Sequence, residues 1–538
     1  MTKLRLLAAL SAVLLLCAGC TPADAPASSE SPAAPTEAPA QDDSPTEAPT
    51  EDPYPVGDTL PVLSIEAKED SLDFVTQPVA AHVAASIASW TPGYRMPPAP
   101  YYEACTVTLT DTDGTVLLSD AAADVKVRGN WTTTYDKKSL RLKFQEKQSL
   151  LRLNDGNAMK NWVLLAEYKD PSLLRTDTAL QLSRALLEGD GLYAADSTLV
   201  EVQINGNYWG VYLLTEQQQT GSHRVDITEP EQDYTGTDIG YFMEFDGYFT
   251  EEDALHSFSL DYADNAPLIP FDWETYDGVT VTPLPEGRHD PKQEVGITVK
   301  SDLYSQAQHD FIAAYMSGVY RILYAAAYED TALRFDNTYT ELTPAPDLTP
   351  EEAVRQAVDV DSLADMYIIS ELTCDADIYW SSFFMDVDFG EGGDRRLRFE
   401  APWDFDSALG NKDRCADGKG FYAASIVPDV NDQYDAVNPW LCVLMQADWY
   451  RDLIAQKWTA AYDAGVFDRA NAHVRESAAL YSDAFDRNEA RWHSIRQNAA
   501  RNEWCAASAR CKTPEETADY LASWLDTRTE FLNSYWHK

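Results

Sequence analysis

Past residue 60 the chain is dominated by short alternations of apolar and polar residues. In "CTVTLTDTDGTVLLS" apolar residues recur at every second position on both sides of an Asp-Gly pair, which predicts a hairpin. "ADVKVRGNW" and "KKSLRLKF" read as further short strands. "STLVEVQINGNYWGVYLLTEQ" reads as a second hairpin turning at Asn205-Gly206, a pair that tolerates the positive φ of a tight turn. One helix interrupts them. "DPSLLRTDTALQLSRALLEG" opens with an Asp/Pro/Ser start signal and then sets Leu173, Leu174, Ala179, Leu180 and Leu182 at helical spacing. After "GYFMEFD" an acidic, Pro-rich region of loops and small strands extends to about residue 295. Beyond about residue 303 the period becomes helical. "SQAQHDFIAAYMSGVYRILYAAAY" is one helix and "EEAVRQAVDVDSLADMYIISELT" one or two. The tail from 447 to 538 holds several more, with a β insertion at about 382 to 405 before it. No internal repeat is found. The pattern predicts an α+β protein, β-rich in its N-terminal half and helical in its C-terminal half.

The hydrophobic content of 45%, with 11% aromatic residues, is enough for a large core over 538 residues. A formal net charge of −47 argues against nucleic-acid binding, because phosphate backbones attract basic surfaces. It permits cationic partners, although solubility is the plainer use of such a surface. The first twenty residues, "MTKLRLLAALSAVLLLCAGC", place Lys3 and Arg5 before a short apolar run, as a secretory signal does. "CAGC" also resembles a bacterial lipobox, which would make Cys20 the lipidated N-terminus; Cys17 stands where Leu is usual. An ordinary signal peptide cut nearby is the alternative. Residues 21–57, rich in Pro, Ala, Thr and Glu, have almost nothing apolar to bury and read as a disordered tether. No second apolar run is long enough to span a membrane. The layout is that of an extracytoplasmic lipoprotein with its globular body at 58–538, held to the membrane through the lipid alone. Six cysteines follow Cys20, and Cys505 and Cys511 are the pair closest in sequence and so expected to bridge; the spacings match no zinc ribbon.

Four segments carry candidate chemistry. "VKVRGNWTTTYDKKSLRLKF" sets Gly129 in a turn before Lys137, Lys138 and Lys143 on a strand, where backbone amides and an ammonium can meet phosphate. Edge-strand lysines more often serve only to block aggregation. "NWVLLAEYKDPSLLRTD" brings Glu167, Asp170 and Arg175 to a helix start, where capping is the plainer role for Asp170. "SELTCDADIYWSSFF" offers Asp375 and Asp377 between a helix and a strand. "RFEAPWDFDSALGN", residues 398 to 411, follows across a span that fits two strands joined by "DFGEGGD". In an extended strand Asp404 and Asp406 would share one face while Trp403 and Phe405 faced the core. Two carboxylates on one face call for a cation between them, and hard oxygen ligands suit Mg²⁺ or Ca²⁺.

Taken in order, "VRGN…KKSLRLKF", "W…DPSLLRTD", "QINGNYWGVYLLTEQ", "GYFMEFD", "CDADIYWSS" and "PWDFDSALGN" resemble the CotH family of spore-coat and surface proteins. The resemblance runs from about residue 60 to the C-terminus. It implies an atypical protein-kinase-like, two-lobed fold, with an N-lobe at about 58–250 and a C-lobe at about 300–538. It also implies transfer of phosphate from ATP to Ser/Thr of a surface or spore-coat-type protein, basic and Ser-rich segments being the acceptors, with Mg²⁺ (or Mn²⁺ or Ca²⁺) as the metal. Arg128 and Gly129 would lie beside the nucleotide phosphates. Lys138, or else Lys143, would pair with them, and Glu216 would mark the segment joining the lobes near the adenine. Asp377 would accept or orient the substrate hydroxyl, while Asp404 and Asp406 would hold the metal. Only Ser381 or Ser382 stands where protein kinases carry a metal-binding Asn, and Trp131 stands where many relatives have Ser or Thr. Ser382 is therefore the remaining metal-site candidate. The alternative is a catalytically inactive surface or envelope protein that uses the same fold for binding. A glycosidase-like acid pair ranks last, because two acids on one strand face cannot flank a bond from opposite sides.

Overall fold

Seven strands at the N-terminal end of the body close on themselves. The computed structural model describes residues 54–268, 271, 295–428, 435–501 and 505–538. The predicted signal segment, Cys20 and the tether up to residue 53 lie outside the described residues. The last part of the predicted tether is not free of the body, however. The Gly57 amide donates to Glu201 (2.7 Å) and the Tyr54 hydroxyl to the Ala490 carbonyl (3.2 Å).

The barrel strands are β1 (Val62–Ala67), β2 (Glu103–Thr110), β3 (Val116–Val127), β4 (Leu140–Gln148), β5 (Met159–Leu165), β6 (Ser197–Ile204) and β7 (Asn207–Glu216). Their order around the barrel is β1-β2-β3-β4-β5-β7-β6, and β1 closes the ring by pairing parallel with β6. Alternation decides what faces inward. Along β4, Leu140, Leu142 and Phe144 are buried in the barrel core while Lys143 is exposed outside it. Both predicted hairpins are present, and Asn205 and Gly206 take the positive φ angles expected of their turn. Two small helices, α1 (Asp73–Thr76) and α2 (Ala81–Trp90), fill the β1–β2 connection, and α3 (Arg175–Leu187) joins β5 to β6.

A second, antiparallel sheet follows. It contains β8 (Gly240–Asp246), β9 (Ser257–Phe258) and β10 (Gly296–Val299) from the middle of the chain. After the long helix α4 (Gln306–Tyr328) and the hairpin β11 (Leu333–Phe335)/β12 (Leu342–Pro344) come α5 (Pro350–Ala357) and α6 (Val360–Thr373). The sheet is completed by β13 (Phe383–Asp388) and β14 (Arg398–Phe399), in the order β14-β13-β8-β10-β9. The predicted β insertion among helices is thus the edge of a sheet begun much earlier. α6 is buried on nearly every face between α3, α8 and β14, so it shows no single apolar stripe, and its buried Asp365 and Glu371 pair with Lys457 and Arg528. The tail is α7 (Pro439–Val443), α8 (Asp448–Asp463), α9 (Val466–Leu480), α10 (Ser482–Trp492), α11 (Ser494–Arg501) and α12 (Pro514–Trp536). Among the described residues no helix is long and apolar enough to cross a membrane.

α10 fastens the tail to the barrel. Asn488 Oδ1 accepts from Lys137 Nζ (2.9 Å) and from the Val211 amide (3.1 Å), and Trp492 donates to the Trp209 carbonyl (2.7 Å). The expected Cys505–Cys511 bridge is not formed. Cys505 is buried with Sγ against the Gly410 carbonyl and the Tyr520 hydroxyl, while Cys511 faces the Glu516 carbonyl, so both remain thiols.

Candidate active site

A cavity of about 1500 Å³ lies where the barrel end meets the second sheet and the loops after α6 and β14. Its functional lining includes Arg128 and Gly129 after β3, Glu167 and Lys169 after β5, and Asp377, Ser382, Asp404 and Asp406 from the two loops.

Local folding explains how the acids arrive there. α6 ends at Cys374, which is left-handed (φ 49°) and reverses the chain. The buried Asp375 carboxylate then accepts the Asp377 amide (3.0 Å), shaping a single 3₁₀ turn that begins at Asp377. In the second loop Trp403 and Phe405 are buried as the alternation predicted, but the segment is not a strand. β14 stops at Phe399, Asp404 is left-handed (φ 72°, ψ 55°), and Phe405–Ser407 form a 3₁₀ turn. The two carboxylates therefore converge through a tight turn, with Asp377 as a third. Oxygens of Asp377, Asp404 and Asp406 all lie within 4.8 Å of one another. Ser382 donates from Oγ to Asp404 (3.5 Å), and its amide is held by Glu244 (2.8 Å).

The counter-charge comes from residues the sequence pattern did not single out together. Lys169 Nζ lies 3.4 Å from Asp406 and donates to Ser407, and Asn411 ties the Lys169 and Asp406 carbonyls together (3.2 and 2.7 Å). Arg128 stands over the Trp403 ring at 5.6 Å. Burial alone would lower the Lys169 ammonium pKa, but Asp406, Asp377, Tyr135 and Asp404 more than offset it, so the group stays charged. Burial lowers Arg128 while Asp404 opposes that shift. Asp404 itself is pushed up to about 7, by burial first and then by Asp406 and Asp377, against the pull of Arg128 and Lys169. Burial, Asp170 and Asp406 hold Glu167 well above the usual carboxylate range, although Thr176 donates to it (2.9 Å).

Of the predicted lysines, Lys137 and Lys138 precede β4 instead of lying on it, and Lys137 lines the cavity. Lys138 is buried with Nζ on the Thr133 and Tyr135 carbonyls, and Lys143 points outward from the barrel because it alternates with core residues. Glu216 is buried against Arg224 (3.2 Å), Asn154 and the Asp196 amide (3.0 Å); the residues just after it, Gln217 to Thr220, reach the cavity instead. Asp170 has the capping role: its carboxylate accepts the amides of Ser172, Leu174 and Arg175 at the start of α3 and pairs with the Arg175 side chain. Lys169 sits inside a segment quoted above, yet nothing in its spacing marks it, since its carboxylate partner is 237 residues away.

The chain is thus a mixed α+β protein in which three carboxylates converge beside Lys169 and Arg128 in one cavity. It belongs to the CotH kinase protein family, whose model matches residues 125–532. Comparison with curated proteins gives no match.

Proposed function

We propose that the chain is an ATP-dependent protein Ser/Thr kinase of the CotH type with a kinase-like, two-lobed architecture. The observation that supports this best is the meeting of Asp377, Asp404 and Asp406 with Lys169 and Arg128 in one cavity. Three carboxylates within 4.8 Å form an all-oxygen donor set that fits Mg²⁺, with Mn²⁺ or Ca²⁺ as substitutes. Asp404 and Asp406 would hold the ion, with the Ser382 hydroxyl beside them; when bound, it supplies charge neutralisation at the phosphates. Lys169 would take the phosphate-pairing role that the sequence reading gave to Lys138 or Lys143, and Arg128 would lie beside the phosphates as that reading has it. Gly129 lets the turn after β3 approach those phosphates closely. Asp377 takes or orients the proton of the acceptor hydroxyl. Gln217 to Thr220 provide the polar edge where the base would rest.

Asp404→Asn tests the assignment, because it keeps shape while removing one carboxylate charge. Transfer from Mg²⁺-ATP to a basic Ser-rich peptide should fall at least about a hundredfold, since electrostatic stabilisation of this kind is worth roughly 3 kcal/mol. Binding of Mg²⁺-ATP at a hundred times Kd should raise wild-type stability by roughly 2.7 kcal/mol. A serine in place of the kinase asparagine favours the second reading, a catalytically inactive binding protein. Wild type that shows neither thermal shift nor transfer with any nucleotide and divalent cation would establish that reading instead.

A further inference from the structure

The two loops that carry the acids also carry two cysteines, and the fold brings those together. Cys374 ends α6, three residues before Asp377, and Cys415 closes a 3₁₀ turn nine residues after Asp406. Both are thiols in this structure; Cys415 Sγ lies 3.9 Å from the Cys374 carbonyl oxygen, and Cys374 and Cys415 are 1% and 0% exposed. The backbones run together just beside them: the Leu409 amide donates to the Thr373 carbonyl at 2.6 Å. Trp524 holds the Cys415 carbonyl (2.6 Å) and fixes that side of the pair.

We propose that Cys374 and Cys415 are a disulfide-forming pair whose bond closes one covalent ring around Asp375, Asp377, Asp404 and Asp406. Such a bond needs Cα atoms within about 7 Å of each other and facing Cβ vectors, and the approach of Cys415 Sγ to the Cys374 backbone, with the Leu409–Thr373 hydrogen bond joining the two loops, supplies the setting for it. Burial and the neighbouring Cys415 hold the Cys374 thiol well above its ordinary pKa. The thiolate is the reactive species, so the closed fold reacts slowly and the bond forms while the loops are still meeting. The oxidant is an external disulfide, either small or carried by a dithiol oxidoreductase. One cysteine thiolate attacks it, expelling a thiolate and leaving a mixed disulfide; the second cysteine thiolate attacks that bond and expels the other half. Two cysteine thiols lose two protons and two electrons, and the external disulfide gains them as two thiols. The inference stands on the loop geometry and does not depend on what the acids do.

The test refolds the full chain in a glutathione/glutathione-disulfide buffer, blocks remaining thiols with iodoacetamide, and maps non-reduced tryptic peptides by mass. The expected product is the peptide ending at Arg395 that contains Cys374 joined to the peptide starting at Cys415, two hydrogens lighter than the sum. Dithiothreitol should release the two halves and lower the melting temperature of wild type by several degrees. It should leave Cys374→Ala and Cys415→Ser melting where they do without it, and either variant alone suffices for this comparison. Recovery of both cysteines as alkylated thiols, or of either joined to Cys105, Cys442, Cys505 or Cys511, overturns the proposal.

Discussion

Asp404 carries its carboxyl into a space that already holds two others. Its pKa rises from 3.8 to about 7, by burial first and then by Asp406 and Asp377. The folded chain therefore keeps a proton there that the unfolded chain releases. The stability this group contributes is full below pH 3.8 and is lost as the pH rises through about 7. With divalent ions chelated, wild type should lose more stability than Asp404→Asn between about pH 5.5 and pH 8, because the amide does not titrate. Melting curves of both proteins at the two pH values decide it. Equal losses would mean that the Asp404 proton is not what the fold retains. A bound cation reverses the preference, since it favours the carboxylate. Stabilisation by Mg²⁺ should accordingly grow over the same range in wild type and much less in the variant.

Between β3 and β4 the chain must turn at the cavity rim, and Gly129 does so at φ 104°, where side chains are strained. A Cβ added there would also run into Thr132 Oγ1. Gly129→Ala should thus cost about 1–3 kcal/mol and weaken Mg²⁺-ATP affinity. Urea unfolding and nucleotide titration would measure the two effects; unchanged values for both would show that the turn has room to spare. Elements of this kind were readable in advance wherever a local rule governs them. The Asn205-Gly206 hairpin and the long α4 follow from turn chemistry and periodicity, whereas α3 begins only at Arg175, five residues after the Asp170 start signal, with Leu173 left-handed (φ 61°) before it. What stayed hidden depends on distant partners. Closure of the barrel by β1 on β6 has no local signal, and the same holds for Lys169 meeting Asp406. "PWDFD" misled for a different reason. Its apolar pair is buried as alternation requires, but Asp404 adopts a left-handed backbone that strand periodicity does not foresee. Lys138 and Lys143 were chosen for their charge, and a carbonyl cage and the outward face of β4 decided where they stand.

Barrel and tail are joined at Asn488. Replacing it by Ala would take one of three acceptors from the buried Lys137 Nζ, which keeps the Ala166 and Val211 carbonyls, and would take the side-chain acceptor from the Val211 amide. A buried donor that loses its acceptor costs about 1–3 kcal/mol, and the loss should appear in a single cooperative unfolding transition rather than in the tail alone. Separate transitions for barrel and tail by fluorescence and circular dichroism would refute that coupling. At the other end of the chain, the lipobox-like "CAGC" leads us to expect that Cys20→Ser moves the protein from the membrane fraction to the medium. Retention in the membrane fraction would remove Cys20 as the anchor. The Lys137–Asn488 contact also orders events during synthesis. A ribosome delivers Lys137 351 residues before its partner, a wait of roughly 18 s at about 20 residues per second. Until then Lys137 lacks one hydrogen-bond partner, so nascent chains stopped before α10 should be cut by protease where released full-length chains resist.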